Sequence, residues 1–378
     1  MDKYTMGFKF RIYPNHAQQE LINRTLGCCR FVFNHFLAIR RDEWTANHKS
    51  VTYNQTSAML TDLKRYEEYS WLKEVDSMAL QESLKNLDTA YQNFFKHQSR
   101  YPRFKSKHNH SQSYRTRNQG NGVRIIGNRI KLPKIGAVKI KQSRKFEGRI
   151  LNATVSRNAS GKYFVSLCVE LDKETLLKTN DGGEIGIDVG LKEFYSDSNG
   201  NTVANPRILR RLTRKLVREQ RRLSRKMPRS MNRDKARIRV ARVHERISNI
   251  RRDFLHKTST ALVRQNKTIA IEHLKIKNMM RNHKLARAIS DVSWSEFFRQ
   301  LEYKAELHGS EVLKVDTFYP SSQTCSECGY QNTETKNLGI RKWTCPKCGS
   351  PQPLPYHHRQ SRPQSVSDSY HPAPPQQP

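Results

Sequence analysis

Apolar and basic residues alternate over residues 6–13, MGFKFRIY, the period of a half-buried strand. The period then lengthens. Leu21, Cys28, Val32, Phe36 and Ile39 fall on one helical stripe, and Leu80, Leu84, Leu87, Tyr91 and Phe94 on another. A weaker helical pattern lies between them, around residues 55–67. These stripes predict helices packed by their apolar faces and need no functional explanation. From about residue 100 to 175, short alternating segments with turn punctuation return. They predict strands, among them a hairpin turning at Asn158-Ala159-Ser160-Gly161.

Beyond residue 180, strand and helix patterns succeed one another. GGEIGIDVGLKEFYSDSNG, residues 182–200, predicts an apolar strand containing Asp188, then a second strand ending at the turn dipeptide Asn199-Gly200. Arg207, Arg211, Arg214, Arg218, Arg221, Arg225 and Arg229 then recur at helical spacing, with Leu209, Leu212, Leu216 and Leu223 on another face. A break at Met227-Pro228-Arg229-Ser230 leads to a second helix carrying Val243, Ile247, Ile250 and Phe254 inward. KTIAIEHLKIKNM follows as an apolar strand with Glu272 near its end, and EVLKVDTFYP, residues 311–320, as a further strand.

Composition sharpens this picture. The chain has 378 residues, room for two or three domains, and 69 Lys and Arg against 34 Asp and Glu leave a formal charge of +35. Surfaces that serve solubility alone mix both signs, so the excess points to a polyanion, nucleic acid first. Between residues 207 and 257 stand 16 Arg and 4 Lys against Glu219, Asp234, Glu245 and Asp253. A helical hairpin with one packed and one polycationic face suits a nucleic-acid backbone, bound with strong salt dependence. Tyr101, Arg103, Phe104, Lys105 and, a little further on, Tyr114 interleave aromatic with basic character, the pairing that stacks bases and contacts phosphates. No run is long and apolar enough to span a membrane, and the N-terminus has no apolar signal core.

Two groups of residues carry metal chemistry. A carboxylate inside an apolar strand is costly unless something positive compensates it. Asp188 and Glu272 on neighbouring strands could hold a hard divalent cation such as Mg²⁺. The two CxxC pairs, Cys325/Cys328 and Cys345/Cys348, are each followed by glycine and separated by 16 residues. That spacing predicts a closed, tetrahedral, structural zinc site. A redox dithiol would use one such pair in another context. Cys28, Cys29 and Cys168 sit among apolar neighbours and are expected to be buried.

With these residues in view, the chain resembles the transposon-encoded TnpB (OrfB) family of RNA-guided DNA endonucleases. The matching stretches are FKFRIYPNHAQQ, GCCRFVFNHFLA, YPRFKSK, IGIDVGLKEF, ARVHERISNIRRDFLHK, IAIEHLKIKNM, SWSEFF, YPSSQTCSECG and WTCPKCG, in family order from about residue 6 to 349. The resemblance implies an α+β and α/β multidomain fold. A basic, wedge-like β-barrel (1–14 and 100–178) would carry an inserted helical domain (15–99). A RuvC, RNase H-like domain (183–320), with the basic hairpin at 205–265, would carry an inserted zinc ribbon (321–350). The implied cofactors are structural Zn²⁺, catalytic Mg²⁺ or Mn²⁺, and a guide RNA from the transposon end. The implied partner is target double-stranded DNA, with a short flanking motif read by the protein. A monomer in the prokaryotic cytoplasm, associated with the nucleoid, is expected.

Carried over by position, Asp188 and Glu272 match the first two acidic residues of the family's nuclease site. The third, an aspartate in a D-x-N-A-A-like helix start shortly after the ribbon, has no counterpart. Residues 351–378 hold 8 of the 15 prolines and one acid, Asp368, a composition expected to be disordered. Asp316 is the internal substitute to consider, although the family gives that position no such role. The reading is a guide-directed DNA-binding protein with weak or lost cleavage. Its alternatives are an active endonuclease, a guide-directed repressor, and a decayed copy whose frame shifted near codon 350.

Overall fold

The computed structural model describes residues 3–172, 179–315, 323–325, 327–336 and 342–353. The chain divides into two compact units, one of residues 1–175 with Arg237–Arg242, the other of 176–236 with 243–378.

The first unit is built on strand β1 (Lys3–Tyr13), whose alternation buries Phe8, Phe10 and Ile12. It pairs antiparallel with β5 (Gly136–Lys141) on one side and β7 (Tyr163–Asp172) on the other. With β2 (Gln112–Arg117), β3 (Arg124–Ile126), β4 (Arg129–Leu132) and β6 (Arg149–Arg157), the seven-stranded order is β2-β6-β7-β1-β5-β4-β3. The β6–β7 hairpin turns where expected, with Gly161 at φ +81° donating to the Asn158 carbonyl. Among the described residues no pairing joins β2 to β3, so the sheet is a curled half-barrel rather than the closed barrel expected.

Three helices intervene between β1 and β2: α1 (His16–Asn47), α2 (Tyr53–Leu63) and α3 (Ser77–Phe95). Asn15 with Gln18, and Thr52 with Gln55, form capping boxes that satisfy the orphan amides of α1 and α2. Asp76 caps α3 and also accepts the Thr116 hydroxyl, while buried Glu82 pairs with Arg115 and Arg117. Helix α3 therefore covers edge strand β2 with compensated charge, which keeps that edge from pairing elsewhere. The apolar stripe of α1 is wider than the five positions read from periodicity. Ile22, Leu26, Cys29, Val32, Phe33 and Phe36 are buried, and Leu21 and Ile39 form its half-buried margin.

The second unit contains β8 (Gly183–Val189), β9 (Glu193–Asp197), β10 (Thr202–Ala204), β11 (Asn266–Glu272) and β12 (Glu311–Val315) in the order β10-β9-β8-β11-β12. Strands β8, β11 and β12 are parallel; β9 and β10 are antiparallel. Its helices are α4 (Ile208–Ser224), α5 (Met231–Gln265), the short α6 (Ile276–Met279), α7 (His283–Val292) and α8 (Trp294–His308). Ile185, Ile187, Ile269 and Ile271 join Leu255, Leu262, Ile289, Trp294, Phe297 and Leu301 in one core. Phe194 stands edge-on to Phe254 and to Phe297, 4.8 Å from each centroid. Val243 and Ile247 of α5 are buried as expected, but Ile250 is 38% exposed and belongs to no core.

Strands β13 (Lys342–Thr344) and β14 (Pro351–Pro353) pair antiparallel, so ordered backbone extends past Ser350, where a disordered tail was expected to begin. Asp316 and residues 354–378 lie outside the described residues.

Candidate functional site

Register brings the two strand carboxylates together. Ile187 of β8 stands opposite Ile271 of β11, and each is followed by its acid, Asp188 or Glu272. Because side chains alternate along a strand, both acids leave the face that the isoleucines bury in the core. The register is pinned at the opposite ends of the strands. Asn180 Nδ2 donates to the carbonyls of Val263 and Asn266 and to Ser310 Oγ, and Asn180 Oδ1 accepts from Gly182 N. Gly182 admits no side chain, since a Cβ there would lie 2.3 Å from the Gln265 carbonyl oxygen. One amide thus ties the starts of β8 and β11 to the turn before β12.

Burial pushes the Asp188 carboxyl up to about 6, and the adjacent Glu272 charge adds to the shift. Burial likewise raises Glu272. Among the described residues neither acid has an ion pair or a side-chain hydrogen bond. Two desolvated like charges without a cation are what a divalent metal with oxygen ligands would compensate, so the donor set fits Mg²⁺ or Mn²⁺. Asp197, across from Ile187, is committed elsewhere. Its carboxylate accepts from Asn199 N, Asn201 N and Asn201 Nδ2 to close the β9–β10 turn.

The four cysteines converge more tightly. Their Sγ atoms all lie within 4.8 Å of one another, with Cys325–Cys348 and Cys328–Cys345 at 3.5 Å. Tetrahedral zinc with Zn–S near 2.3 Å places its sulfurs about 3.8 Å apart, so the cage has the right size. The two knuckles are built alike. Gly329 N donates to Cys325 O and Gly349 N to Cys345 O, each glycine at φ +71°. The Ser350 hydroxyl lies 3.3 Å from Cys325 Sγ and 3.1 Å from Cys348 Sγ, a hydroxyl beside two of the thiolates that the spacing did not signal.

The basic helix α4 exposes Arg211, Arg214, Arg218 and Arg221, and Arg207, Arg225 and Arg229 are exposed at its flanks. Leu216 is buried and Leu209, Leu212 and Leu223 half-buried on the other side. Its helix start is held by a residue that periodicity did not reveal. Both carboxylate oxygens of Asp291 accept from Leu209 N, at 3.1 and 3.0 Å, and Arg251 Nη2 donates to Asp291 at 2.7 Å. Arg207, the residue at the cap, supplies no side-chain acceptor.

The aromatic–basic group is divided by the structure. Tyr101, Arg103 and Phe104 are exposed, and Arg41 stacks over the Phe104 ring at 5.6 Å. Much of Lys105 is open to solvent, yet its ammonium lies 3.9 Å from the Phe33 centroid, and desolvation lowers its pKa. Tyr114 is 5% exposed and unavailable to a ligand.

Comparison with known proteins places these features. Residues 166–283 match the OrfB_IS605 family, described as a probable transposase, and residues 294–352 match a Cas12f1-like TNB domain. Residues 1–49 match a family described as a helix-turn-helix domain, although here they form one strand and one unbroken helix. A Streptomyces pristinaespiralis protein is 41% identical over 93% of this chain and 86% of its own length. InsQ of Escherichia coli K12 is 35% identical over 91% and 88%. Both bear the name "Putative RNA-guided DNA endonuclease". Among solved structures, Cas12f1 in a Cas12f1–sgRNA–target DNA complex aligns at TM-score 0.47 and 11% identity, covering 92% of this chain and 97% of that one.

Proposed function

Because the chain belongs to the TnpB (OrfB) family, we propose that it is a guide-RNA-directed DNA-binding protein whose nuclease site retains only two carboxylates. The register of β8 against β11, which makes neighbours of Asp188 and Glu272, carries this reading. Three parallel strands extended by two antiparallel ones suit a RuvC, RNase H-like domain, and the half-barrel with its three intervening helices suits the wedge and helical domains. Zinc would be held by Cys325, Cys328, Cys345 and Cys348. Mg²⁺ or Mn²⁺ would be held by Asp188 and Glu272, and would supply an activated water and charge neutralisation at a phosphodiester.

Two carboxylates hold a metal pair poorly, and residues 351–378 offer only Asp368 in a proline-rich context. Cleavage is therefore weak or absent, while guide and DNA binding survive on the arginine face of α4 and the exposed basic residues near Tyr101. Base pairing would supply the sequence and the protein the backbone contacts. RNA co-purified with the chain should be dominated by one species, and the loaded protein should retain only DNA that matches it. Unselected cellular RNA with no preference for matched DNA would overturn the reading.

A further inference from the structure

Residues 91–110, YQNFFKHQSRYPRFKSKHNH, contain five aromatic residues, five Lys or Arg and three His, and no acid. The C-terminal end of α3 and the segment after it bring Tyr91, Phe94, Phe95 and Tyr101 together as one ledge of rings. Tyr101 stands edge-on to Tyr91 at 5.6 Å and to Phe94 at 5.4 Å, and the Tyr101 and Tyr91 hydroxyls are 2.9 Å apart. Phe95 packs against Phe94 at 5.4 Å. The backbone is held as well: Lys105 N donates to Asn34 Oδ1, Asn34 Nδ2 donates to Lys105 O, and Gln98 N and Ser99 N both donate to Asn93 O.

This ledge does not close on itself. Phe95 is 66% exposed, Phe104 51% and Tyr101 42%. Aromatic rings of that size left in water within an acid-free, basic segment are poorly suited to a protein core partner and well suited to bases. Every base offers a π-face, and the surrounding cations can take the phosphates between stacked bases. A rigid ring also loses little entropy when a base settles on it.

We propose that Phe95, Tyr101 and Phe104 form a stacking platform for unpaired nucleobases of a single strand. The proposal deepens the nucleic-acid reading above by assigning a place that takes bases rather than backbone. It requires no sequence preference and no metal. Arg103 contributes phosphate contact beside the platform rather than base contact.

The test compares a ten-nucleotide oligo-dT or oligo-U with an abasic strand of equal length and charge, each titrated into the full chain by fluorescence anisotropy. Because polycation surfaces elsewhere bind both alike, the readout is the affinity ratio of base-bearing to abasic strand. The native chain should favour bases by about tenfold, and the Phe95→Ala/Phe104→Ala variant should bring the ratio close to one. Both rings are exposed, so folding is preserved, and Phe95→Tyr/Phe104→Tyr should restore the preference. Arg103→Ala should instead weaken both strands and flatten their salt dependence. The oligo-dT and oligo-U arms show whether the platform serves DNA, RNA or both. A native ratio of one, or a preference that survives removal of both rings, refutes the platform. Loss of guide-directed DNA retention with this preference intact would instead refute the functional reading on which it builds.

Discussion

The two candidate metal sites of the second unit are assembled in opposite ways. The cysteine cage draws four ligands from 24 residues, each pair carried by a knuckle that its own glycine and amides stabilise. The carboxylate pair draws two candidate ligands from strands 84 residues apart, and their meeting depends on register and on the core beneath. The cage brings its four sulfurs together by itself. The carboxylate pair is uncompensated among the described residues and costly to the fold. A site built locally keeps its chemistry when the rest of a chain drifts, whereas a site built across a sheet loses function when one contributor is lost.

The largest effect should come from the cage. Cys345→Ser removes one of four thiolates and should reduce bound zinc from about one ion per chain to near none by elemental mass spectrometry, because structural zinc binding is folding energy. Retention of full zinc would show that the four sulfurs are not the ligand set.

A smaller effect separates the sites. Phe297, fully buried against Phe194, supports the sheet face beneath the carboxylates. Phe297→Ala should cost about 3–5 kcal/mol in denaturant unfolding and weaken divalent-metal binding. Zinc content should not change, since no cage ligand depends on that core.

Next comes Asp188→Asn. The Asp188 carboxyl titrates near 6 in the folded chain against 3.8 ordinarily, so the folded state holds the extra proton in that window and metal-free stability falls as pH rises through it. The variant should therefore be about 1–3 kcal/mol more stable than the native chain at pH 7 without metal, and equal to it below pH 4. Mg²⁺ should stabilise the native chain and leave Asp188→Asn unmoved. Equal stability of the two proteins at both pH values would show that the carboxylate is not strained. The smallest effect is that of Asp291→Ala, which uncaps α4 and leaves Arg251 without its carboxylate. It should cost about 1–2 kcal/mol and leave both metal sites intact.

The same contrast explains how much was legible in the sequence. The cage could be read from spacing because its geometry is local. Asp188 and Glu272 could be read because charge interrupts apolar strands, and the basic helices because their period is continuous. Asn180, Asp291 and the hydroxyl of Ser350 could not, since each acts on groups distant in sequence and carries no periodic signal. Tyr114 was misjudged for the same reason, as the helix that covers its face of β2 comes from elsewhere in the chain. The barrel was expected from the family resemblance, whereas the alternation itself fixes which face of a strand is buried and not whether the last strand meets the first.

The central claim is that guide-directed binding persists here without efficient cutting. The direct test incubates the guide-loaded protein with a matched supercoiled plasmid in Mg²⁺ and in Mn²⁺, following retention on a gel shift and strand breaks on a denaturing gel. The account predicts retention of matched plasmid only, with breaks no more frequent than for Asp188→Ala. Robust double-strand cleavage that Asp188→Ala abolishes would contradict it and show that the carboxylate pair is completed by a further residue.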